Sequence, residues 1–244
     1  MDFKVEWYDK LDSTNTCMHD RFHSDLKLPN GLIIAAREQT AGRGRQDRNW
    51  ISRSDTNLCF SAFIETNAPL IEVPSLTMAV ALGIVEMLVP AGIRAAPKWP
   101  NDVLVGDKKI CGILSERVEH PTTRRTGIIA GIGLNVNMTT EEAEAIDRPA
   151  TSMLIEKGRA YDLNHSLEAL FEPLDYWIKE WEKGGFSKLQ KIWTEKAGPI
   201  GKCLAVHDGD IRKRGVLAGF GEYGELLLET GNGIETIWSG DVSE

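Results

Sequence analysis

The chain has 244 residues, 28 Lys and Arg against 36 Asp and Glu, a formal charge of −8, 42% hydrophobic and 26% charged residues. This is an ordinary globular composition, long enough for one large domain or a large and a small one, and its acidic balance argues against a general nucleic-acid binder, which needs surplus Lys and Arg. No stretch approaches eighteen uninterrupted apolar residues and the acidic N-terminal segment lacks an apolar h-region, so neither membrane spanning nor export is expected, and the reading is cytoplasmic.

Phe3 to Tyr8 alternates apolar and polar residues as a strand does, and Ser13-Thr14-Asn15-Thr16 offers N-cap residues for a short helix ending before Pro29. Gly31 to Arg37 reads as a buried strand, Gln39 to Trp50 as a polar loop, and Asn57 to Glu65 as a strand again. Ser75 to Val89 is apolar all round, which fits a helix buried against a sheet. After Arg94 the pattern returns to strands, with Val103 to Val105 and Lys109 to Val118 joined as a hairpin by Gly106-Asp107, then a long strand from Thr126 to Asn137. Apolar residues at helical spacing run from Ser166 to Lys183, and a second helix is expected from Phe186 to Lys196. Gly198-Pro199 breaks that run. Lys202 to Trp238 then offers four short alternating segments separated by glycine turns, the mark of a small antiparallel meander or barrel, and a boundary is placed near residue 198.

Four cysteines, Cys17, Cys59, Cys111 and Cys203, form no C-x-x-C pair, which argues against a zinc site or a disulfide framework. Gly219 to Gly224 fits the dinucleotide fingerprint G-x-G-x-x-G, but that motif needs a following helix and ELLLET reads as a strand, so a turn is expected. A stronger signal lies between residues 37 and 53. Arg37, Arg43, Arg45, Arg48 and Arg53 stand there against Glu38 and Asp47, a local charge of +3 in an acidic chain. Arginines interleaved with Gly42 and Gly44 let guanidinium forks and backbone N–H groups converge on a phosphate, in a loop that an anion would order. A second polar island is Lys98-Trp99-Pro100-Asn101-Asp102, followed by Lys108 and Lys109, of which strand geometry lets only one face a site.

Ser13-Thr14-Asn15, Gln39, GRGRQDRNW at 42–50, KWPNDVLVGDKKICGILSE at 98–116, GIGLNVN at 131–137 and ATSM at 150–153 occur in this order. Together they resemble the biotin protein ligases over essentially the whole chain. The resemblance implies an α+β fold: a catalytic domain over 1–197 with a mixed β-sheet akin to class II aminoacyl-tRNA synthetases and biotin/lipoate ligases, then a small SH3-like β-barrel over 198–244. It also implies that biotin and ATP with Mg²⁺ give biotinyl-5′-adenylate and pyrophosphate, and that the biotinyl group passes to a lysine of a biotin carboxyl carrier protein, such as that of acetyl-CoA carboxylase.

Carried over by motif, Lys109 would bridge the biotin carboxylate and the α-phosphate, and Arg43 and Arg45 would order the loop over the adenylate. Arg48 would help to close the loop, with Trp50 beside the nucleotide. Ser13, Thr14 and Gln39 would hydrogen-bond the ureido ring, with Asn15, Gly42 and Gly44 beside them, while Gly112, Ile113, Gly131 and Gly133 would wall a narrow slot. Asn135 would face adenine, and Lys98, Asn101 and Asp102 would meet ATP phosphates or Mg²⁺, with no metal ligand otherwise assigned. Asp47 departs from the family by standing where a glycine is common, and pairing with Arg45 or Arg48 is expected of it. The catalytic pattern starts almost at Met1 without a helix-turn-helix, so no DNA partner and no membrane partner is expected, whereas a homodimer through a sheet edge is. Two other readings are a lipoate or octanoate ligase of the same superfamily and a non-catalytic module that binds biotinyl-adenylate.

Overall fold

The computed structural model describes every residue except Asp47, Pro199, Asp210 and Glu244. In chain order the elements are β1 (Lys4–Leu11), α1 (Thr14–Ser24), β2 (Leu32–Gln39), β3 (Asn57–Glu65), α2 (Val73–Leu88), β4 (Ala96–Lys98), β5 (Asp102–Val105), β6 (Lys108–Glu119) and β7 (Thr126–Asn135). Then follow α3 (Thr140–Glu144), α4 (Met153–Lys157), α5 (Leu163–Glu168), α6 (Phe171–Glu182), α7 (Gln190–Lys196), β8 (Cys203–Asp208), β9 (Ile211–Phe220), β10 (Leu226–Thr230), β11 (Gly233–Ile237) and β12 (Asp241–Ser243).

Seven strands form one sheet in the order β1-β2-β3-β7-β6-β5-β4. β1 pairs parallel to β2 and every other recorded pairing is antiparallel, which makes the sheet mixed. Side chains alternate across it. Ile33, Ala35, Ala62, Ile64, Ile128 and Ala130 point to α2, while Ile34, Phe63 and Ile129 point to the opposite face, where Met18 and Phe22 of α1 cover them. α2 is buried along both its sides, between the sheet and α6, as its uniform apolarity demands. Leu70–Leu88 is long and apolar enough to cross a bilayer, yet most of it lies inside the protein.

The remaining five strands form a second, antiparallel sheet in the order β11-β10-β9-β8-β12. It holds one strand more than the sequence pattern offered, because Asp241–Ser243 pairs with β8. Gly219 and Phe220 close β9, and residues 221–225 form the turn to β10, so a turn and no helix follows the glycine motif; the Gly224 carbonyl accepts from Trp99 Nε1 at 2.9 Å. Gln190 Nε2 donates to the Phe220 carbonyl at 2.7 Å, and Trp193 meets the Phe220 ring edge-on. Leu204, Leu217, Phe220 and Leu228 thereby join the same continuous core as α2.

Candidate active site

The face covered by α1 changes character along the strands. Register places Phe63 beside Ile129 and Ile129 beside Glu116, next Ser61, Gly131 and Leu114, and then Cys59, Gly133 and Gly112. Apart from Leu114, bulky residues therefore give way to small and polar ones over two rows, which opens a cleft of about 600 Å³ on the sheet. One polar chain borders its inner end. Gln39 Oε1 accepts from the Thr14 N–H at 2.8 Å and from the Thr14 hydroxyl at 3.1 Å, and the Ser61 hydroxyl lies 2.8 Å from Thr14 Oγ1 and 2.6 Å from Asn15 Oδ1. Asn15 Nδ2 then donates to Glu116 at 2.7 Å, and Arg43 closes the chain on the same carboxylate at 2.8 Å. All of Ser13, Thr14, Asn15, Gln39 and Ser61 are buried, so their polar groups hold fixed positions. Ser13 sits at the helix N-cap position but makes no capping bond.

The glycines of the floor make room for neighbouring side chains. A Cβ on Gly131 would overlap the Asn15 amide, and one on Gly133 would overlap the Trp50 indole. Trp50 lies across Gly133 and Gly112, with its Nε1 buried and unpartnered among the described residues. The arginine loop folds back as a hairpin: Gly44 N–H donates to Arg48 O at 2.7 Å and Trp50 N–H to Gly42 O at 2.8 Å. Asp47 and the pairing expected of it lie outside the described residues.

Cationic groups surround the floor, each with a resident partner. Lys109 Nζ lies 2.6 Å from Asp102 Oδ1 and 5.8 Å from the Trp50 ring centre, while its neighbour Lys108 is exposed. Arg45 donates to Asn101 Oδ1 at 3.0 Å. Burial lowers the Arg45 pKa, and the charges of Asp241 and Asp102 counter that effect. Arg48 and Arg148 both reach Asp241 of the second sheet, Arg148 at 3.4 Å. Burial disfavours the Asp241 carboxylate, but the Arg48 hydrogen bond and the two guanidinium charges hold its pKa below the usual range. Gln46 also reaches the second sheet, at Asp208, 3.3 Å away.

Most residues singled out in the sequence converge here: Ser13, Thr14, Asn15, Gln39, Arg43, Gly44, Arg45, Arg48, Trp50, Asn101, Asp102, Lys109, Gly112, Gly131, Gly133 and Asn135 all line the cleft. Two sit differently, and Ile113 lines the cleft from its buried side. Lys98, on the edge strand β4, is not among the lining residues. Gly42 acts through its carbonyl, which receives the Trp50 N–H. Ile113 borders the cleft but is buried in the core cluster of α2, and its backbone exchanges two hydrogen bonds with Asn101, at 3.0 and 2.8 Å. Asn135 donates to the Thr151 carbonyl at 3.0 Å, so its amide is partly engaged by the covering 146–151 segment. Ser61, Glu116, Arg148 and Asp241 were not legible as site residues, since each is a single polar residue whose partners are distant in sequence.

This sequence and fold have counterparts. Residues 7–135 match the model of the biotin/lipoate A/B protein ligase family. The bifunctional ligase/repressor BirA of Bacillus subtilis is 31% identical, over 97% of this chain and 72% of that protein. The biotin–[acetyl-CoA-carboxylase] ligase of Paracoccus denitrificans is 29% identical, over 96% of this chain and 97% of that one. Among solved structures, the biotin protein ligase of Aquifex aeolicus in complex with biotin and ATP superposes with a TM-score of 0.79 at 28% identity, covering 98% and 97% of the two chains. The chain belongs to the biotin/lipoate A/B protein ligase family.

Proposed function

We propose that this protein is an ATP-dependent biotin protein ligase, with residues 1–197 as the catalytic unit and 198–244 as a small SH3-like barrel. The observation that carries this is the convergence of Lys109, Arg43, Arg45 and Arg48 over a glycine floor next to the buried Thr14–Gln39 pair. The family includes lipoate ligases. The biotin reading is supported over that one because the Bacillus, Paracoccus and Aquifex relatives described above are biotin ligases or a ligase/repressor.

In the first half-reaction a biotin carboxylate oxygen attacks the α-phosphorus, an acyl–phosphate bond forms, and the bond to the β-phosphate oxygen breaks with pyrophosphate leaving. Two anions must meet, so fixed cations between them lower the barrier without reorganising. Lys109 meets both the carboxylate and the α-phosphate, while Arg43 and Arg45 hold the loop across them. Ser13, Thr14 and Gln39 address the ureido ring, and Asn135 the adenine. In the second half-reaction the carrier lysine amine attacks the acyl carbon and AMP leaves. Mg²⁺ would travel with ATP and neutralise phosphate charge. A single carboxylate suits that role, since Mg²⁺ usually keeps its waters and the substrate phosphates. Asp102 supplies one, and no cluster of three or more His, Cys, Asp or Glu residues suited to a metal ion occurs among the described residues. The acceptor is a biotin carboxyl carrier protein, as the name of the Paracoccus relative suggests.

ATP–pyrophosphate exchange with Mg²⁺ and, separately, biotin, lipoate, octanoate or no acid tests the reading. Exchange with biotin alone is expected. Exchange with lipoate or octanoate would move the assignment to the sister activity, and none with any acid would sink adenylation altogether.

A further inference from the structure

Arg148 belongs to none of the motifs that carry the proposed function, yet the fold fixes the residues that directly follow it against the central lysine. The Lys109 N–H donates to Pro149 O and the Thr151 N–H to Lys109 O, each at 2.9 Å, so a short parallel bridge joins Ala150 to Lys109. Arg148 stands just outside that bridge, more than half exposed, lines the cleft, and faces the Asp241 carboxylate that also holds Arg48. The two guanidinium groups share the Asp241 carboxylate, so Arg148 has no Asp241 contact of its own to give up when an anion enters the cleft, which Asp147 also lines. Lys109, Arg43 and Arg45 already suffice for an acyl-adenylate, which carries a single phosphate charge. ATP brings its further charges on the β- and γ-phosphates.

We propose that Arg148 is a binding residue for the β,γ-phosphates of the incoming nucleotide, with Asp241 holding its guanidinium in place until they arrive. This rests on the ligase reading above. A guanidinium that meets two phosphate oxygens contributes a charge-assisted, geometrically specific contact. Its loss should therefore weaken ATP without weakening the adenylate.

The test compares the parent protein with Arg148→Gln and Arg148→Lys. For Arg148→Gln the KM for ATP in biotin-dependent exchange is expected to rise about tenfold, equivalent to about 1.4 kcal/mol. The KM for biotin and the Kd of a hydrolysis-resistant biotinyl-adenylate analogue should stay where they are, and Arg148→Lys should recover part of the ATP affinity. An unchanged KM for ATP, or an equal loss for the analogue and ATP, would overturn the assignment. Should the parent protein show no biotin-dependent exchange, the ligase reading fails by itself. Direct titration with MgATP then decides Arg148: weaker binding by Arg148→Gln supports the site, and equal binding by both proteins overturns it.

Discussion

Lys108 and Lys109 are adjacent in sequence but opposite in role, because the strand sends one to solvent and the other to Asp102 and the Trp50 ring. Lys109→Ala is expected to reduce biotin-dependent exchange by about 10²- to 10³-fold or more, the scale of losing one preorganised charge-stabilising group, while Lys108→Ala leaves it intact. Equal losses in both would show that the pair acts only through surface charge. Arg45 bridges the loop to Asn101, so Arg45→Gly should release adenylate into solution and label lysines on unrelated proteins. Adenylate recovered by chromatography and unselective labelling of a bystander protein would establish this, and unaltered target selectivity would refute it. At Gly133 an added methyl must displace the Trp50 indole. Gly133→Ala should therefore shift the tryptophan emission and raise the KM for biotin. An unmoved spectrum with an unmoved KM would mean that the floor has slack.

At the scale of elements, α4 rests on Ser152. This fully buried residue accepts from the Ile155 N–H at 3.1 Å and donates to Met138 O at 2.7 Å, tying the helix start to the segment after β7. Ser152→Ala should cost about 1–2 kcal/mol by loss of a cap and an orphaned carbonyl, seen as a lower denaturation midpoint at unchanged slope. Long elements were legible because their periodicity repeats: the apolar stretch from residue 75 is α2, and the alternating tail is the second sheet. The span from Ser166 to Lys183 was legible as helix but not as two. The chain ends α5 at Glu168 and starts α6 at Phe171, which moves Pro173 from a helix interior, where it would clash, into a first turn, where its missing N–H costs little. α3, α4, β4 and β12 span three to five residues each, too few for a period to show. Likewise the arginine loop announced itself by concentration, whereas Glu116 and Asp241 became site residues only when folding brought them to Arg43, Arg48 and Arg148.

For the whole molecule, carboxylates held by guanidinium groups set an acid limit. Arg125 hydrogen-bonds Glu65 and keeps its pKa below the ordinary value, and Arg48 does the same for Asp241 against the effect of burial. A depressed carboxylate adds stability that is complete above its unfolded pKa and vanishes as pH falls through the folded one. Melting midpoints should therefore be level from pH 7 to 5 and drop below about pH 4, less steeply in Glu65→Gln. A midpoint indifferent to pH down to 3, or the same drop in the variant, would contradict that account. The two sheets share one core through Trp193 and Phe220, so melting should be a single transition.

That shared core has a consequence for biosynthesis. α2 is apolar almost all round, with Glu86 its one charged residue, and the partner that covers its outer face, α6, begins about eighty residues further along the chain. At translation rates of about 5–20 residues per second the ribosome needs roughly 4–16 seconds to supply it. For that interval the nascent chain presents a naked apolar helix, which makes Val73–Leu88 the segment where chaperone capture, or aggregation when synthesis outruns it, should first be found.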